Sequence, residues 1–179
     1  MKLGPNLRKF IRSIHVTVTV SWLGAVAGFL ALAIVGLNSQ DRQLVSAMYL
    51  SMDIITRYVI VPLSLVPLVL TGPLLSLGTP WGLFRHYWII VKLVINVLST
   101  LILLVHLKPI QHMADIAAAG TISSADRGAQ IQLVVAAGAG LLALLAATGI
   151  AVYKPRGMTV YEWQKQYGER AGARSDVET

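Results

Sequence analysis

Apolar residues in this chain do not alternate with polar ones; they come in long runs. Val16–Leu37, Tyr58–Leu77, Tyr87–Val105 and Ile131–Tyr153 each have about the 20 residues needed to cross a ~30 Å hydrocarbon layer. Only a helix satisfies its own backbone in such surroundings without a closed barrel, so the pattern predicts an all-α integral membrane four-helix bundle. Residues 1–158 then make a single transmembrane domain. Residues 159–179 make a cytoplasmic interfacial helix, opened by a Thr159-x-x-Glu162 capping box and carrying Tyr161, Trp163 and Tyr167, followed by a disordered polar tail.

The first run follows a basic stretch, Lys2 to Arg12, as a signal peptide would. It is nevertheless longer than a signal h-region, and its small residues are spread through it rather than gathered at a cleavage site, so it reads as a retained helix. Its Gly24-x-x-x-Gly28 motif lets a backbone approach a neighbouring helix closely, and the Ala- and Gly-rich fourth run is suited to the same tight packing. The second helical pattern begins near Asp41 and runs to Leu77, longer than one crossing. It must therefore protrude or break, and Pro62, Pro67 and Pro73 mark where. Asp53 and Arg57 stand one turn apart on it and form a neutralising pair. Pro109 is expected to end the third helix, Met113–Ala119 to form a short surface helix, and Gly120–Gly128 to turn the chain.

Composition supports this picture. Of 179 residues, 55% are hydrophobic and 13% charged, about half the ~25% charge of a soluble domain. The net charge of +7 does not point to nucleic acid, because the excess lies beside apolar runs. Lys2, Arg8, Lys9 and Arg12 precede the first run, Arg85 separates the second and third, and Lys154, Arg156, Lys165 and Arg170 follow the fourth. Both termini are therefore expected to be cytoplasmic, in the cell (plasma) membrane. With no cysteine, thiolate nucleophiles, iron–sulfur clusters and covalent c-type haem are excluded.

Topology sorts the histidines. His15 and His86 fall at the cytoplasmic boundary, His106 and His112 at the outer one. His86 and His106, ~30 Å apart along one helix, cannot share a metal. Only His15 with His86 and His106 with His112 can converge, the first as bis-histidine ligands of b-type haem and the second as a surface metal site, with the alternative that each faces headgroups or caps a helix end. Lys92, ~9 Å deeper than His86, either snorkels to the headgroups or faces the bundle in a polar intramembrane stripe with Asn96 and Ser99. No acid in another run is placed to pair with it, which leaves an anion, a lipid phosphate or water.

The stretches LGTPWGLFRHYWIIVK, HVTVTVSWLGA and VYKPRGMT resemble a family of small bacterial four-helix integral membrane proteins built on a domain of unknown function. That resemblance covers nearly the whole chain except the tail and implies the fold. A looser similarity, carried by His15, Trp22, Gly24 and Lys92, runs to the copper-resistance D membrane proteins and the haem-binding protoporphyrinogen oxidases. It implies b-haem at His15 with Lys92 nearby. The arginine that the oxidases place after the first-helix histidine is absent, since Trp22–Leu37 contains no basic residue.

No catalytic constellation is legible. The expectation is a membrane protein with a structural or accessory role, in contact with lipids and with a second copy or a complex partner. The alternatives are a b-haem redox or haem-pathway protein using His15, His86 and Lys92, and a transporter of a small solute or copper. Copper is disfavoured by the scatter of Met48, Met52, Met113 and Met158.

Overall fold

Described here from a computed structural model are residues 4–71 and 87–153. The described residues contain only helices and turns, and four of the helices are long and apolar enough to cross a membrane. Helix α1 spans Pro5–Asn38. Pro5 suits a helix start, because the donor it lacks would have had no intrahelical partner there. At the other end Asn38 turns its amide back to the Ile34 carbonyl at 2.8 Å.

Helix α2, Arg42–Leu70, opens on Asp41, whose carboxylate accepts from the backbone N–H groups of Gln43 and Leu44. Through the described residues the helix runs on without a break. The turns widen to the π form at Thr56–Ile60 and again at Val66–Thr71, around Pro62 and Pro67. A proline removes one ladder donor and crowds the preceding turn, and a wider turn accommodates both without ending the helix. Asp53 and Arg57 pair as expected, with Arg57 Nε 2.7 and 2.9 Å from the two carboxylate oxygens.

Helix α3 spans Tyr87–Ala118 and passes straight through Pro109, which corrects the expected helix end there. The separate surface helix at Met113–Ala119 is corrected with it. Ile110, Met113, Ala114 and Ala117 are almost completely buried, and α3 packs on α2. That packing outweighs one lost hydrogen bond. The Ser46 hydroxyl donates to the Ala117 carbonyl at 2.7 Å and ties the two helices at this end. The true stop is Gly120, at φ +67°, where Gly120 and Thr121 donate back to Ala117 and Ile116.

A single turn, Ser124–Asp126, carries a capping box with Ser123 and leads into α4, Arg127–Tyr153. The helices pack in a ring, α1 on α2, α2 on α3, α3 on α4 and α4 on α1, so α1 and α3 face each other across the centre. Residues of the α1–α2 and α3–α4 connections line one shared polar cavity, which puts both loops at the same end of the bundle. The start of α1 and the end of α4 share the other, here the terminal end.

Outward, the bundle presents apolar side chains such as Val20, Val69, Val105, Val135 and Leu142, each more than half exposed. An apolar skin of this extent belongs against lipid. Gly24 and Gly28 lie on it, with open space where a Cβ would stand, so the expected close approach does not occur among the described residues. The tight glycine is Gly36, where an added Cβ would lie 3.2 Å from the ring of the buried Tyr49. Gly138, Gly140 and Gly149 of α4 meet open space too.

Candidate functional site

Lys92 points inward. Its Nζ lies 3.4 Å from His15 Nε2, a contact made across the bundle between α1 and α3. With the ring proton on Nδ1, the ammonium donates into the Nε2 lone pair. The snorkelling alternative has no part in this geometry. Asn96 and Thr100, one and two turns further along α3, are buried, and Ser99 is half-buried beside them. The polar stripe read from the sequence is therefore the bundle-facing side of α3. The Thr19 hydroxyl bonds back to the His15 carbonyl at 2.8 Å, so the α1 side of the site keeps its polar groups satisfied locally.

Two basic groups in contact need a reason to be buried together, since a buried charge is costly unless paired. The acids among the described residues are Asp41, Asp53, Asp115 and Asp126. Asp53 is held by Arg57, and Asp41 and Asp126 cap helices at the loop end. Asp115 is exposed at that same end of α3. None is placed beside Lys92. Among the described residues the site is thus cationic, with the buried Asn96 and Thr100 further along the same helix.

The His15–Lys92 contact also fixes the register of the two helices. Stepping seven residues along each brings Trp22 level with Ser99, and seven more brings Phe29 level with His106. All four of these residues line one cavity of about 280 Å³. Its remaining wall is chiefly α4, through Leu133, Ala137, Gly140 and Leu144. The indole N–H of Trp22, a residue 3% exposed, has no hydrogen-bond partner among the described residues. An unsatisfied buried donor costs about 1–3 kcal/mol. The Tyr49 hydroxyl and Thr100 Oγ1 share this condition.

The other histidines are placed separately. His106 Nδ1–H donates to the Ile102 carbonyl at 2.8 Å. His112 is exposed. No group of three or more metal-ligating side chains converges among the described residues. His86 and the expected interfacial helix at 159–179 lie outside the described residues, as do Pro73 and Arg85. Nothing among the described residues supports b-haem: His15 Nε2 is turned to Lys92, and His86, the expected opposite ligand, lies outside them.

Sequence reasoning picked out Lys92, Asn96 and Ser99 but missed the cavity below them. The signal was present as matched heptads, His15, Trp22, Phe29 on one helix and Lys92, Ser99, His106 on another. No protein-family model matches the chain, and no curated protein or solved structure matches it.

Proposed function

We infer that this protein is a multi-pass accessory protein of the plasma membrane, with both termini cytoplasmic, that binds an anionic group inside its bundle and does not transform it. The carrying observation is the contact of Lys92 with His15 at 3.4 Å on the bundle axis. A lysine within a membrane helix is retained at a cost, and one turned away from the headgroups gains nothing from snorkelling. Its remaining donors need acceptors, and a carboxylate or phosphate supplies charge as well. Asn96 and Ser99 offer further polar contacts along the same wall.

The test uses the purified full chain in zwitterionic nanodiscs, with dodecyl phosphate as probe and dodecanol as its uncharged counterpart. Dodecyl phosphate is expected to raise the melting temperature of the wild type by several degrees and to leave Lys92→Gln unmoved. An equal shift in both proteins would remove Lys92 from the site. The same preparation is expected to be colourless. A Soret band lost in His15→Ala would replace this reading with the haem-binding one.

A further inference from the structure

The loop end of the bundle holds a second cavity, of about 250 Å³, which shares no residue with the Lys92 site. Helix α2 turns Arg42, Val45 and Ser46 to it, three positions on one face, and α4 does the same with Arg127 and Gln130. Arg42 and Arg127 are each the first residue of their helix, where the macrodipole disfavours a cation. Neither guanidinium has an ion-pair or hydrogen-bond partner among the described residues. The acids beside them in sequence do not supply one, because Asp41 and Asp126 turn their oxygens to backbone N–H groups and to Ser123, and neither lines the cavity. Gln130 is 8% exposed, and its amide makes no hydrogen bond among the described residues. Unlike the Trp22 indole N–H, its amide atoms are not sealed off, so the surface they keep opens into the cavity that Gln130 lines.

We propose that this cavity binds a small, water-soluble dicarboxylate, one carboxylate received by Arg42 and the other by Arg127, with the Gln130 amide donating from the buried side. The negative charge follows from the two guanidiniums and from the absence of an acid among the described residues that line the cavity. Its division between two ends follows from the ring of helices: α2 and α4 stand diagonally across the bundle, so the arginines reach in from opposite sides. Neighbouring helix axes lie ~8–10 Å apart and diagonal ones roughly 11–14 Å, a span that two arginine side chains fill with a short diacid between them. Water solubility follows from the rim, where the polar loop residues Ser39, Gln40, Ser123 and Ser124 stand at the end of the bundle and away from its lipid-facing sides. The buried Gln130 amide then gains the acceptor that the described residues do not give it.

The experiment is isothermal titration of the full-length protein in zwitterionic nanodiscs with three probes. Succinate is the diacid, butyrate has the same chain length and one charge, and inorganic phosphate gathers its charge on one centre. Succinate is expected to bind roughly tenfold more tightly than either, the span of one hydrogen bond to a charged group. Arg42→Gln and Arg127→Gln, both at exposed positions and so without cost to the fold, should each bring succinate down to the level of butyrate. Gln130→Leu, with its folding checked by melting temperature, should weaken succinate binding roughly tenfold. Lys92→Gln should leave succinate binding unchanged, so this site and the anion site inside the bundle can fail separately. The proposal is overturned if succinate does not bind, if butyrate binds as well, or if phosphate binds more tightly. It is equally overturned by a succinate preference that survives either arginine variant or Gln130→Leu, and by loss of succinate binding in Lys92→Gln.

Discussion

The seam between α2 and α3 and the seam between α3 and α4 are both built from helices long and apolar enough to cross a membrane, and they end up opposite in character. Where it packs on α2, helix α3 buries Met113, Ala114 and Ala117, and the Ser46 hydroxyl reaches the Ala117 carbonyl. Against α4 it leaves a cavity of about 280 Å³ and an indole donor without a partner. Side-chain volume makes the difference. Helix α2 contributes Tyr49, Met52 and Ile60 to the core, whereas α4 contributes Ala137, Ala147 and only two leucines, Leu133 and Leu144. Small residues tighten a membrane bundle when backbones close in on one another, and the glycines of α4 meet nothing. Composition alone therefore does not say whether an Ala- and Gly-rich helix packs or leaves room.

The largest test of this contrast is Met113→Ala on the filled seam. Met113 is completely buried, and its truncation should cost about 2–4 kcal/mol by equilibrium unfolding in mixed micelles. A cost below that of an exposed control such as Val105→Ala would show that the seam is loose. A smaller test compares one substitution at two places. Gly36→Ala drives a Cβ to 3.2 Å from the enclosed Tyr49 ring and should cost about 1–3 kcal/mol. Gly140→Ala meets nothing and should gain about 0.5–1 kcal/mol by relieving a helix-interior glycine. The same sign at both positions would erase the distinction between the seams. Smallest is a matched pair of caps. Asp41→Ala and Ser123→Ala should each cost about 1 kcal/mol, because both connections are capped alike and the seams differ in packing, not in how their helices begin.

Much of this architecture was legible in the sequence because a bilayer-length apolar run has few folded alternatives. The four helices and the Asp53–Arg57 pair follow from local spacing. Pro109 misled because its effect is decided by packing: the residues beyond it are buried, and Ser46 of α2 ties Ala117 in place. Gly24 and Gly28 misled in the same way, being a motif for contact that happens to face outward. The inward direction of Lys92 depended on the rotation of α3 about its axis. Hydrophobic pattern fixes that poorly when every face of a helix is apolar.

Lys92 meets His15 across the bundle, and the absence of cysteine from the chain makes this contact directly measurable. In native membranes, a short bifunctional thiol reagent should cross-link the His15→Cys, Lys92→Cys double variant within one chain. It should fail with His15→Cys, Val91→Cys, since Val91 stands one position away on the exposed face of α3. Equal cross-linking in the two variants, or cross-linking of the Val91 pair alone, would contradict the inward placement of Lys92 and the site built on it.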